Sequence, residues 1–300
     1  MVDEKAARPR VLVGRIRSAY DRLPAGVRIF GGAVREFSDH RCTLLAAALA
    51  YHVLFSFFPL ALVAVGIVGL VSSDPAVRNE VATRIVGIVP LNTAGRDQLA
   101  NLLTSIAGAR GAIGFVGLAG LWWSASGVMG ALRGGLNQAF DVTAKRRFWR
   151  AKFLDLVLVL GAVVVVGVSF GVTILVGIFQ HIAHRLPGVL ADAGSWLVDT
   201  GGLGIALLFI FTMCLLLYRY VPVQSSRIVD LWPGALVAAV GLEALQYGFA
   251  FYLSNFGHYN RVYGTLGGIV AFLFFVYVAG AVFFFGAEVA DGYARYRLRR

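Results

Sequence analysis

Residues 122–141 read WWSASGVMGALRGGLNQAFD, and within this stretch the chain passes from an aromatic anchor, through small residues, to a charged exit. On a helix Ser126, Gly130, Arg133, Asn137 and Asp141 follow one another at steps of four, three, four and four, so they share one stripe. The uncharged run from Ala112 to Leu132 that contains its first half is about as long as the roughly 20 residues needed to cross a bilayer. The stretch therefore reads as a membrane span whose far end carries hydrogen-bonding side chains.

Composition points the same way. Of 300 residues 58% are hydrophobic and 14% charged, and the mean hydropathy is +0.75, values that a soluble domain does not reach. The net charge of +11 raises nucleic acid as a partner, but in so apolar a chain the placement of the charges matters more than their sum. Two cysteines, Cys42 and Cys214, are too few for a disulfide framework. No short apolar segment with a cleavage site precedes the first span, so the N-terminus is expected to be retained.

Working outward, the sequence predicts an all-α polytopic bundle of six spans. They fall at about 44–71, 112–132, 153–179, 201–218, 231–253 and 263–289, within a membrane domain of residues 44–291. A basic segment 1–43 precedes it and a basic tail 292–300 follows. In the first segment Val27, Phe30, Val34 and Phe37 repeat at three, four and three, which makes an amphipathic helix. It lies either along the membrane surface or on the protein's own loops. Residues 72–111 contain two apolar patterns broken around Pro90 to Gly95, the mark of an extracytoplasmic helical hairpin. Such an insert either caps a site or simply packs over the spans.

Three polar features inside the spans stand out. His52, Ser56 and Pro59 share a face of the first span, where the proline removes a backbone bond and predicts a kink. His52 is a candidate proton carrier, or else a neutral histidine bonded to a neighbouring helix. Glu243 stands about 18 Å into the fifth span, near the middle of a hydrocarbon core about 30 Å thick. Gln246 and Tyr247, three and four residues on, extend the patch. An ionised carboxylate facing lipid costs at least a few kcal/mol, so Glu243 must face the bundle, pair, or hold a proton. Lastly, Glu288 and Asp291 emerge from the sixth span where Arg133 and Asp141 emerge from the second, as a mutually neutralising cluster that serves as glue or as a gate. His181 and His184 lack a third ligand at suitable spacing, so no metal site is expected.

Lys and Arg number 21 in the N-terminal, second, fourth and C-terminal segments against 6 in the other three connections. This asymmetry places both termini in the cytoplasm, as an even number of spans also requires. The third span's Gly167 and Gly171 have the spacing that lets a second helix approach closely, within one chain or between copies in a homo-oligomer.

Five blocks now identify a resemblance that runs from about Ala46 to Asp291. AAALAYHVLFSFFPLAL, WWSASGVMGALRGGLNQAFDV with RRFWRAK, YRYVP, WPGALVAA, and YGTLGGIVAFLFFVYVAGAVFFFGAEVA resemble, in order, the signature blocks of the YihY/BrkB family of bacterial inner-membrane proteins. The matching positions are Tyr51, Ser56, Pro59, Trp123, Ser124, Ser126, Leu136, Asn137, Pro233, Gly234, Tyr263, Gly264, Leu266, Gly267, Gly286 and Glu288; Glu243 is not among them. The resemblance implies a six-helix inner-membrane protein, with envelope integrity, lipid export and cation/proton exchange all proposed among members.

The family label once included a ribonuclease, and the chemistry here argues against one. Phosphodiester hydrolysis needs clustered acids or histidines around metal, and the 16 acids and five histidines are scattered at span ends. The basic segments are accounted for by orientation and by anionic lipid at the cytoplasmic face, so no nucleic acid, cofactor or catalytic residue is expected. Without a GxxxxGK[ST] loop, transport must be passive or gradient-driven. The leading expectation is translocation of a lipid or other amphiphile along Ser126, Gly130, Arg133 and Asn137, with Glu243, Gln246 and Tyr247 along the same path. Cation/proton antiport using Glu243 and His52 is the alternative, and a non-transporting envelope scaffold a third.

Overall fold

The structure is a computed structural model and describes residues 24–71, 112–142, 189–223, 227–256 and 267–298. Among the described residues every regular element is a helix: α1 (Ala25–Asp39), α2 (Cys42–Val71), α3 (Ala112–Ala139), α4 (Val189–Tyr220), α5 (Ile228–Phe256) and α6 (Gly267–Leu298). The five long helices stand where the sequence reading puts five of its six spans. The insert 72–111, the third span 153–179 and the pair His181 and His184 lie outside the described residues.

Helix ends and span ends differ, for a physical reason. Helix α4 begins at Val189 and not near Gly201, and takes in Trp196, which falls between the expected spans 153–179 and 201–218. Asp192 and Asp199 end an apolar run, but they do not end a helix. In the same way α3 continues past Leu132 to Ala139 and α6 continues to Leu298, so the polar stripe and the start of the basic tail are helical.

Helix α6 is the centre, packed chiefly on α5 and α2 and also touching α1 and α3; α3 lies against α2, and α4 against α5. The α5–α6 crossing is made by small residues. A methyl group added at Gly234 would overlap the Gly286 carbonyl, and one at Gly286 would stand 2.6 Å from Tyr218 Oη and 2.7 Å from Ala238. Each helix thus contributes a small-xxx-small pair, Gly234 with Ala238 and Gly286 with Ala290, and the backbones approach until they touch. Tyr218 of α4 fills the space beside the crossing: it is fully buried, and its hydroxyl donates to the Phe283 carbonyl at 2.5 Å. On the other flank Gly127 of α3 receives the His52 ring of α2, and Gly135 receives Phe284 of α6.

The large side chains left outside are apolar. Tyr51, Phe55, Trp123, Leu208 and Phe251 are all more than half exposed, the distribution of a bundle whose solvent is hydrocarbon. Ile228–Tyr252 and Gly268–Leu298 are each long and apolar enough to cross a membrane.

The described crossing makes a testable contrast between two glycines. Gly234→Val should lower stability by about 2 kcal/mol or more, because a side chain must push two backbones apart. Gly130→Ala, where no described atom stands within 4 Å, should stay within about 0.5 kcal/mol of the parent. Thermal unfolding of the purified protein in detergent checks both.

Candidate functional site

The polar groups gather at the end of the bundle where α2 begins, α3 ends and α6 runs out. Two tight turns build it. At Arg41 the backbone adopts φ 52°, a left-handed conformation costing an L-residue about 1 kcal/mol, and the chain reverses from α1 into α2. At Asp141, φ 51°, helix α3 closes in a Schellman pair: Val142 N–H donates to the Asn137 carbonyl at 2.7 Å and Asp141 N–H to that of Gln138 at 3.2 Å. Both turns aim side chains at α6.

There Glu288, wholly buried, accepts from His40 Nδ1 at 2.8 Å and from Cys42 Sγ at 3.3 Å. The far nitrogen of the same ring, His40 Nε2, lies 3.2 Å from Asp141 Oδ1. Arg295, one helical turn beyond Asp291 and paired with it, also donates to Asp141 at 2.7 Å and to Glu36 at 3.0 Å. Four carboxylates, Glu36, Asp141, Glu288 and Asp291, therefore share Arg295 and His40. Glu288 Oε2 has no hydrogen-bond partner among the described residues. A carboxylate taken out of water costs several kcal/mol unless it is matched in charge and in hydrogen bonds, so this end is short of positive charge. His40 answers that shortage. Burial alone lowers its pKa, but the hydrogen bond to Glu288 and the charges of Glu288, Asp141 and Glu36 outweigh burial and raise it above 6.5.

Of the predicted cluster, Asp141, Glu288 and Asp291 come together, with His40 and Arg295 supplying the positive charge opposite them. Arg133 is half-buried on α3, about 12 Å along the helix axis from Asp141. Sequence reasoning passed over His40, Cys42, Glu36 and Arg295. Arg295 was within reach, since Glu288, Asp291 and Arg295 follow at steps of three and four on one helical stripe.

The α3 stripe divides. Asn137 Oδ1 accepts from Val223 N–H at 2.9 Å and so ties the end of α3 to the segment after α4. Ser126 and Arg133 are half-buried at the border of the helix's outer side. On that side Gly130 and Gly134 are exposed, with no described atom within 4 Å of an added methyl, and Trp123 is 83% exposed. The α5 patch divides as well. Glu243 continues the buried stripe of Leu231, Ala235 and Ala239 and is 9% exposed, with Oε2 lacking a partner among the described residues. Gln246 and Tyr247 are exposed. In α2, His52 is half-buried against Gly127, its carbonyl takes a bond from Ser56 Oγ at 2.8 Å, and the helix carries on through Pro59, which packs on Gly120.

Cutting the Asn137 tie should be measurable. Asn137→Ala leaves a Val223 N–H unpaired and should cost about 1–3 kcal/mol, while Asn137→Asp keeps an acceptor in place and should cost less. Detergent melts of the two variants beside the parent give the comparison.

Residues 33–299 match the family model described as virulence factor BrkB. The proteins named UPF0761 membrane protein from Xanthomonas campestris pv. campestris strain B100, Xanthomonas axonopodis pv. citri strain 306 and Xanthomonas oryzae pv. oryzae strain PXO99A are each 27% identical to this chain over 272 residues. The alignments take in 88% of this chain and 60% of each relative, so the chain spans well under the full length of these relatives. No solved structure matches it.

Proposed function

Because this chain belongs to the BrkB family and is a membrane protein, we propose that it moves a lipid or another amphiphile across the bacterial inner membrane, with both termini in the cytoplasm. The observation that supports this is the outer side of α3. Gly130 and Gly134 leave a bare strip beside half-buried Ser126 and Arg133, on a helix whose neighbouring Trp123 is 83% exposed. A headgroup travelling along that strip meets hydroxyl and guanidinium groups while its tails stay in hydrocarbon. A guanidinium suits a phosphate headgroup because it presents several donors in a fixed fork. No ATP loop is present in the sequence, so the movement runs down a gradient, and no catalytic step is assigned.

One observation favours cation/proton antiport as a second reading. Glu243 is nine-tenths buried inside α5, and one oxygen has no described partner, the position of an acid that takes up and releases a proton or cation. Glu288 and Asp291 are buried as well, so acids are more numerous in the bundle than Glu243 alone suggested.

Headgroup-labelled lipid translocation in proteoliposomes of the purified protein separates these readings. The parent should exceed empty vesicles. Gly130→Leu fills the strip and should slow translocation about tenfold, equivalent to about 1.4 kcal/mol of barrier, without loss of thermal stability. No translocation, but dissipation of a pH gradient on adding Na⁺ or K⁺ that Glu243→Gln abolishes, would establish antiport instead. Absence of both signals would leave a scaffold that binds partners and moves nothing.

A further inference from the structure

Helix α1 is held on the bundle by polar contacts at its C-terminal end, by the fully buried Ala33 and by the packing of one side on α6. Its apolar contacts with α6 include Ile29, which would stand 3.5 Å from a methyl group added at Gly292, and the rings of Phe30 and Phe37 on Phe285 at 5.1 and 5.9 Å. Val27, Phe30 and Val34 remain about half exposed, so much of its apolar side is not used in docking. A cleft of about 180 Å³ opens between the two helices beside the Glu36–Arg295 pair, lined by Arg28, Gly32, Glu36 and Arg295 among others. The polar ties of this region include Glu36 to Arg295, His40 to Glu288 and to Asp141, and the Arg28 guanidinium over the Tyr296 ring at 6.0 Å.

We propose that the α1–α2 turn is a proton-dependent clasp, in which one proton shared by His40 and Glu288 keeps α1 seated on α6 and its loss lets α1 lift away. The groups facing His40 are Glu36 from its own helix, Cys42 from α2, Asp141 from the end of α3, and Glu288, Asp291 and Arg295 from α6. Arg295 is occupied by Glu36, Asp141 and Asp291. The positive charge opposite Glu288 therefore comes from the proton on His40, while Cys42 adds only a weak neutral donor. With the pair deprotonated, Glu288 is a bare carboxylate with no exposed surface and one oxygen without a described partner. Moving α1 outward is the short way to wet it, because α1 carries His40 and covers this side. The protons belong to the pair and not to either residue, so the transition has one apparent midpoint.

The sign follows from His40. Its folded pKa lies above 6.5, so the stabilisation is fully present below about 6.5 and is lost as pH rises through the folded value. One linked proton changes the docking equilibrium by at most about tenfold per pH unit beyond that point. A clasp of this kind makes the seating of α1, and with it access to the end of the bundle, respond to pH on that side of the membrane.

Hydrogen exchange of residues 25–39 in the purified full chain, corrected for intrinsic exchange, tests this between about pH 6 and about pH 8.5. The parent should lose about tenfold or more of its protection across that range, with α6 unchanged. Glu288→Gln removes the buried charge, and α1 should stay protected at both pH values. His40→Gln should shift the pH at which protection is lost away from that of the parent, because Glu288 then holds the proton alone. Equal protection of the parent at both pH values, or a pH dependence that survives Glu288→Gln, would overturn the proposal.

Discussion

The backbones of α5 and α6 touch at Gly234 and Gly286, and the rest of the bundle takes its spacing from that contact. Inside a bilayer, apolar side chains gain nothing by leaving lipid for one another, so helices associate through close packing and through hydrogen bonds. Glycine and alanine permit both. With Gly234, Ala238, Gly286 and Ala290 at the crossing, α5 leaves room for Tyr218 to reach past Gly286 and bond the Phe283 carbonyl. A larger residue at the crossing would take away the approach and the bond together. The same device recurs on the other side of α6, where a methyl group added at Gly280 would stand 3.3 to 3.4 Å from Leu49 and Ala46 of α2. A helix with such contacts on two sides becomes the centre by geometry, and α6 is that helix.

That arrangement was legible in the sequence where it depends on local pattern. The small residues of WPGALVAA and GAEVA stand out against Leu, Val and Phe, and the five long described helices match five of the expected spans. Helix ends were less legible, since hydropathy reports where lipid ends and α4 is helical well before that, from Val189. The face of a patch was legible only in part. Glu243, Gln246 and Tyr247 share a side by spacing, but spacing on one helix does not say where its neighbours stop. Glu243 is covered, and the other two are exposed.

What a local pattern cannot carry is a meeting of distant residues through irregular turns. His40 reaches Glu288 across 248 positions because Arg41 takes a left-handed backbone conformation that no residue type at that position announces. Asp141 is easier to foresee, since aspartate tolerates that conformation better than most. Arg295 was visible as part of a stripe, whereas its bridging of Glu36 and Asp141 required knowing that α1 and the end of α3 lie on the same side of α6. Charge balance was the available hint. Acids at the end of a span need partners, and the search for those partners belongs at the turns next to them as much as on the same helix.

The two sets of buried acids stand in different circumstances, and the difference bears on what each can do. Glu288 lies among His40, Cys42, Asp141 and Arg295, so a change in its charge is felt by several elements at once. Glu243 lies farther along the bundle on a stripe of alanines, where no described group offers it a charge. The first arrangement ties a charge to the seating of several elements, and the second sets one apart from them. The crossing bears directly on the first, because Glu288 lies between Gly286 and Ala290, the small residues that meet Gly234.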